Sequence, residues 1–297
     1  MRYSLSILLI ALPLAAFDID ELYKKTLESI ANLLKKTDIF LSDDNRSIKQ
    51  RFNIATSIET VTETYQPTLF RFNVKANIEL PRTQKKLHLF LQDYEKSNSI
   101  DKTYSKNIQD SIQNTSYLFG LQYLTKSNLS YRVGLRFRKV TPDPFLSARW
   151  SQTSYLTDSS WVYFGDKLFY YMRHKWDNTL FAHYQHKLND NMLFSFENSY
   201  RYETKPQDEN QYVHALKLYI SGSRYELFIP RAEIYCHANN QSSYKLNYYY
   251  LGFSYRNIFY RKWLFYQIAP AVLWRIENGF RPSYRLSFSV GVTFERN

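Results

Sequence analysis

At 297 residues the chain has room for one large domain or two ordinary ones, and a mean hydropathy of −0.49 with 22% charged residues excludes a bundle of membrane helices. Aromatic residues make up 18% of the chain (Tyr 27, Phe 21, Trp 5), too apolar a mix for disorder. Seven glycines argue against a glycine-rich nucleotide fold, and a single cysteine, Cys236, excludes a disulfide framework. Cys236 reads as a small apolar filler in a strand.

The N-terminus pairs Arg2 with an apolar run from Leu5 to Leu14 and then Ala15-Ala16. Residues 1–16 therefore read as a cleavable signal peptide, the run being shorter than the roughly 20 residues a spanning helix needs. Residues 17–47 read as a periplasmic amphipathic helix with its connector. Ile19, Leu22, Leu27, Ile30, Leu33 and Leu34 share one side of a helix over 18–36. Asp18 and Glu21 have capping-box spacing, and Lys35 and Lys36 are placed to meet the negative end of the helix dipole. Ser42–Ser47 is the polar connector.

From residue 48 to 297 the period changes from 3.6 to 2. In Leu129–Lys139, Leu129, Tyr131, Val133, Leu135 and Phe137 alternate with Ser130, Arg132, Gly134, Arg136 and Arg138. Such runs recur near 50–60, 67–80, 86–95, 115–125, 128–139, 143–155, 159–172, 177–188, 191–203, 211–221, 224–237, 244–257, 262–276 and 282–294. Short connections, Pro81–Lys85, Thr125–Asn128, Leu188–Asn191 and Ser221–Arg224, alternate with longer ones at Glu95–Asn114, Thr204–Asn210 and Ala238–Ser243.

A water-soluble sandwich also alternates, but in shorter strands. These runs have the length that crosses a bilayer at a tilt, and their polar faces carry full charges that a dry core would not tolerate. The expected fold is all-β, a closed antiparallel transmembrane barrel of about fourteen strands, with twelve as the alternative, preceded by one amphipathic helix. Tyr284, Leu286, Phe288, Val290, Val292 and Phe294 form one unbroken apolar face of the last strand, which is expected to close the barrel. Phe259, Tyr260, Arg261, Lys262, Trp263 and Phe265 crowd one turn and are expected in a membrane-interface girdle.

With a signal peptide, a helix and a C-terminal alternating strand, the chain resembles Gram-negative outer-membrane β-barrels. More narrowly, ANIELPRTQKKLHLFL and YRNIFYRKWLFYQIAP resemble a group of uncharacterised proteobacterial outer-membrane proteins. The resemblance implies export to the outer membrane and contact with its lipids and lipopolysaccharide. It also implies recognition of the last strand by the barrel-assembly machinery, although Glu295-Arg296-Asn297 follow Phe294 here. It carries no chemistry.

No enzyme is expected. None of the six histidines stands in the H-x-S spacing of an outer-membrane acyl hydrolase, which leaves only a serine brought near by the fold. His183 and His186, three apart on a strand, fall on opposite faces and are not expected to share a metal. Asp43-Asp44 reads as a solvated turn, and neither a phosphate-binding glycine loop nor a cysteine–histidine zinc spacing occurs, so no cofactor is expected.

The net charge of +12 would suggest nucleic acid in a cytoplasmic protein, but not in an exported barrel. By face, Arg71, Lys75, Arg132, Arg136, Arg138, Arg149, Arg201 and Arg285 belong to the lumen and outnumber Glu79, Glu197 and Glu233. The leading expectation is a passive channel for small, preferentially anionic solutes. The alternative is a non-conducting barrel that docks a partner, with a hydrolase a distant third. For the apolar stripe of helix 18–36 three receivers stay open: the barrel mouth, the inner leaflet, or a periplasmic protein. The reading favours the helix lying beneath the periplasmic mouth.

Overall fold

The computed structural model describes residues 19–42, 51–64, 66–80, 86–93, 116–125, 128–138, 141–173, 175–204, 209–239 and 242–296. The expected signal peptide, the Asp18 cap, most of the connector and the whole connection at Glu95–Asn114 lie outside them. No helix among the described residues is long and apolar enough to cross a membrane. The crossing surface is a sheet.

One helix, α1 (Ile19–Ser42), precedes fourteen strands. These are β1 (Phe52–Glu63), β2 (Leu69–Glu79), β3 (Leu87–Asp93), β4 (Ser116–Leu124), β5 (Leu129–Arg138), β6 (Thr141–Tyr155) and β7 (Ser160–Tyr171). The second half holds β8 (Lys175–Asn189), β9 (Met192–Glu203), β10 (Glu209–Ser223), β11 (Glu226–Asn239), β12 (Ser242–Tyr260), β13 (Leu264–Arg275) and β14 (Pro282–Arg296). Every strand pairs antiparallel with its sequence neighbours, and β14 pairs with β1 to close the barrel. Fourteen, not twelve, is the strand number.

Tyr284–Phe294 is bonded on both sides, with Val290 opposite Ile58 of β1 and Tyr266 of β13. The expected long connection at Ala238–Ser243 shortens to residues 240–241, because β11 extends to Asn239 and pairs there with Ser242 at the start of β12.

The two faces are inverted relative to a soluble protein. On β14, Tyr284, Leu286, Phe288 and Val290 are 63, 48, 44 and 39% exposed, whereas Arg285 between them is 3% exposed. Apolar side chains cover the outside and charged ones the inner wall, the arrangement of a transmembrane barrel. Gly120 and Gly134 face each other across β4 and β5, where a Cβ on Gly120 would lie 2.1 Å from the Val133 carbonyl oxygen. Glycine at both positions lets these two strands approach closely.

The helix corrects two expectations. It runs six residues past Lys36, so Lys35 and Lys36 are not in its last turn, and it does not cover the mouth. Leu27, Ile30, Ala31 and Leu34 pack on Phe52, Ile54, Ala76 and Ile78 of β1 and β2, with Leu89, Leu91 and Phe294 beside them. By register these strand residues lie on the outer face, since Phe72 and Ile58 of the same face are 52 and 62% exposed. Leu27, Ile30 and Leu34 of the expected stripe go to the outer wall because apolar surface is there, whereas Leu22 and Leu33 are 60 and 64% exposed.

Tyr23 anchors the other half of the helix. Its ring stacks on Trp263 (4.5 Å, 9°) and Phe294 (5.1 Å, 10°), and its hydroxyl donates to the Thr293 carbonyl at 3.2 Å. Burial under these rings raises the Tyr23 phenol above its ordinary range. Asp20 pairs with Arg261 at 2.5 Å. The helix thus straddles the β1–β14 seam. Tyr23→Ala removes two ring contacts and a hydrogen bond and should loosen docking by roughly 2 kcal/mol. Limited proteolysis of the detergent-folded protein should then cleave the helix faster and spare the barrel. An unchanged cleavage rate would mean that Tyr23 is not an anchor.

Candidate functional site

The inner wall is where charge concentrates. Register places Arg71, Lys75 and Glu79 (β2), Arg132 and Arg136 (β5), Arg149 (β6), Glu197 and Arg201 (β9) and Arg285 (β14) on the inner face. The backbone of Arg138 lies in β5, but its side chain is outside the description.

Most of these charges are matched. Glu63, buried near the end of β1, accepts from Arg275 at 2.5 Å, from Arg285 at 2.5 and 2.8 Å, and from Ser283 at 2.8 Å. Arg201 donates to both oxygens of Asp177 at 2.8 and 2.5 Å and lies 3.4 Å from Glu203. Lys217 pairs with Glu197 at 2.6 Å, where Tyr219 and Ser195 also donate. Glu233 takes Arg231 and the Tyr248 hydroxyl, the latter at 2.6 Å. Arg71 approaches Glu59 at 3.9 Å, and Glu79 approaches Arg51 at the same distance.

One sector of the wall differs. Lys75, Arg132, Arg149 and Lys167 line a cavity of about 460 Å³ with no carboxylate in its lining, walled in part by Phe90 and Phe169. Arg149 stands directly opposite Lys167 across β6 and β7, and Arg132, opposite Ser147, is on the diagonal. Neutral groups hold the two arginines. Arg132 donates its Nε to Gln122 Oε1 at 3.0 Å and lies 4.8 Å from the Phe90 ring centre, and Arg149 donates to the Tyr163 hydroxyl. Arg149 Nε and Gln92 Nε2 are buried donors without a protein partner among the described residues. Lys167 was not among the expected pore charges, because β7 carries aromatic residues on both faces and its alternation is hidden.

The aromatic turn divides between faces. Phe259 is exposed and meets Tyr266 on the outside, Arg261 and Lys262 are exposed, and Trp263 is covered by Tyr23. The Tyr260 side chain is outside the description. Phe265 lies opposite Gly291 on the inner face, with the Arg256 guanidinium 3.9 Å from its ring centre. It faces the interior, because β13 alternates so that Phe265 shares its side with buried Ala271, Leu273 and Arg275.

The fold also brings a serine to a histidine. Ser160 Oγ is 2.6 Å from His186 Nδ1 on the outer face at the end of β7 and β8, with the Tyr184 hydroxyl 3.4 Å away. No carboxylate orients this imidazole among the described residues, so the pair lacks the third group that activates a nucleophile. His183, by register, faces inward.

Closure, strand length and the apolar outer band define a transmembrane β-barrel of the outer-membrane class, with a helix strapped to its outer wall. Among solved structures the chain is similar to a loop-deletion mutant of OmpT, an outer membrane protein of Vibrio cholerae (7% identity over 82% of this chain and 99% of that one, TM-score 0.46). It is similar also to the KdgM porin in complex with oligogalacturonate (5% identity, 82% and 99%, TM-score 0.42) and to OccK5 of Pseudomonas aeruginosa (9% identity, 84% and 98%, TM-score 0.43). No protein-family model and no curated protein matches the chain.

The Glu63 network yields a prediction. Glu63→Ala would leave Arg275 and Arg285 buried without their carboxylate, a loss of roughly 3–5 kcal/mol. Denaturant unfolding of the barrel in vesicles, followed by tryptophan fluorescence, measures it. A loss below about 1 kcal/mol would place the network in water-screened surroundings.

Proposed function

We propose that the protein is an outer-membrane channel of a Gram-negative cell that passes small solutes passively, anions in preference to cations. The observation that carries this reading is the cavity sector, where Lys75, Arg132, Arg149 and Lys167 line the inner wall and the lining itself includes no carboxylate. Fixed charge on a wetted wall raises the local concentration of counter-ions and sets which sign of solute crosses. The apolar outer band supports the bilayer location.

The rival reading is a non-conducting barrel, and it too has an observation in its favour. Arg71, Arg201, Lys217, Arg231, Arg275 and Arg285 each stand against an acid. Planar-bilayer recording separates the two. The channel should give discrete current steps whose reversal potential in a salt gradient reports anion selectivity. Changing Arg149 and Lys167 together to Gln should lower the anion-to-cation permeability ratio on the order of twofold, lumen water screening each charge in part. Absent steps, or steps selective for cations, would sink the proposal.

A further inference from the structure

We propose that the outer wall over β7 to β10 is an interface where a second copy of this chain docks about a two-fold axis, Asp166 of each copy meeting His214 of the other. The proposal goes beyond the channel reading and does not depend on it, because two barrels can associate whether or not either conducts.

The first observation is ionisable chemistry on the lipid-facing side. Register puts Asp166 of β7 on the same face as Leu180, and His214 of β10 alternates with buried Ala215 to share the face of Leu216. Leu180 and Leu216 are 47 and 46% exposed. On their own strands Asp166 stands between Phe164 and Leu168, and His214 between Tyr212 and Leu216, so both lie within the outer band. Asn178 donates to Asp166 Oδ1 at 2.6 Å, and His214 Nδ1 is 2.6 Å from Asn198 Oδ1. Each contact uses one polar atom. The second carboxyl oxygen of Asp166 and Nε2 of His214 have no protein partner among the described residues. Ionisable groups that face lipid are costly and mark places where a partner is found.

The second observation is the shape between them. With β8 and β9 intervening, Asp166 and His214 are about 14 Å apart across the sheet, too far to meet within one chain. The wall there is hollowed into a groove of about 420 Å³, with Asp166 on its β7 side and His214 on its β10 side. Ala182 lines it between the aromatic rings of Trp150, Phe164, Tyr200 and Tyr212. Small residues at a membrane interface let two backbones approach closely.

These features select the occupant. A groove with an acid on one flank and an imidazole on the other is its own complement. A two-fold axis between β8 and β9 sets each acid against the other copy's imidazole, and the pair forms twice. A carboxyl and an imidazole share one proton, so the pair is neutral as a whole whichever group carries it. A lipid chain in the groove would leave both polar atoms unmet. Copies inserted in one membrane share an orientation, so the axis runs along the membrane normal and the paired residues must share a depth. Asp166 lies five residues before Tyr171, where β7 ends, and His214 five residues after Glu209, where β10 begins, at the same mouth of the barrel.

The test is sedimentation equilibrium of the full-length protein folded in density-matched detergent, which should show a monomer–dimer equilibrium. Asp166→Asn should raise the dimer dissociation constant at least about tenfold, two pairs being weakened at once. Asp166→His and His214→Asp should each do the same by setting like groups together, and the two combined should restore the parent value. A role in barrel stability alone would give no such recovery, and heat-modifiable gel mobility shows that each variant is folded. In vesicles, with Cys236→Ser, a short bis-maleimide should join copies carrying Ala182→Cys but not copies carrying Phe288→Cys on β14. A monomer at every concentration would overturn the interface, and co-purifying lipid on that monomer would make lipid the occupant instead. So would a dimer that the single changes leave intact, a double exchange that fails to recover it, or cross-linking at residue 288 and not at 182.

Discussion

Everything in this molecule follows from the backbone of its strands having to find all its hydrogen bonds within the sheet. At membrane depth no water is available to a free strand edge, so the sheet can end only by meeting itself. The meeting is between β1 and β14, in continuous register from Phe52 opposite Arg296 to Glu63 opposite Arg285. Because the period of a strand is 2, closure also decides the faces. One set of alternate residues must meet lipid and the other must meet the interior, and a slip of one residue would put Arg285 in lipid and Phe288 inside.

Closure in turn creates an interior wall that carries charges, and the wall handles them in two ways. Near the end of β1 and along β8 to β11 the cations are held against carboxylates in networks that also use Ser283, Tyr219 and Tyr248. A buried ion pair offsets its own desolvation only when its remaining hydrogen bonds are met, and these networks meet them. Two arginines, Arg132 on β5 and Arg149 on β6, are held by neutral groups instead. The first arrangement stiffens the wall. The second orients two guanidinium groups without a carboxylate at either contact.

This division explains what was legible in the sequence. Strands such as Leu129–Arg138 and Pro282–Arg296 alternate apolar with charged or small residues, so their number, bounds and faces could be read directly. The ion partners could not, because pairing depends on register between strands: Glu63 and Arg275 are 212 residues apart. Lys167 was hidden for a different reason. Its strand, SWVYFGDKLFYY, places Trp161, Tyr163, Phe169 and Tyr171 inside and Val162, Phe164, Leu168 and Tyr170 outside, so aromatic rings on the inner wall erase the contrast that marks a face. Phe265 was grouped with the aromatic turn it follows, whereas the alternation of β13 turns its ring inward. The helix was legible as a helix, but its receiver was not, since Phe52, Ala76 and Ile78 look like any other lipid-facing residues until something packs on them.

The position of that helix connects the outside of the barrel to the cavity within. Ala76 and Leu91, which face the helix on the outer wall, alternate with Lys75, Asn77, Phe90 and Gln92, which line the cavity on the inner wall. The backing is needed there more than elsewhere. β3 has only 7 residues, and its register with β2 covers just the stretch from Lys75–Gln92 to Glu79–His88. A short strand pair bends more readily than the long pairs on the other side of the barrel, and bending would move Lys75 and Gln92 relative to Arg132 and Arg149 on β5 and β6. A helix packed across β1, β2 and β3, and anchored at its other end by Tyr23 on β14 and the turn after β12, opposes that bending from outside. The alternation that puts apolar residues toward lipid and charges toward the interior thus gives the helix a surface to grip directly behind the residues that line the cavity.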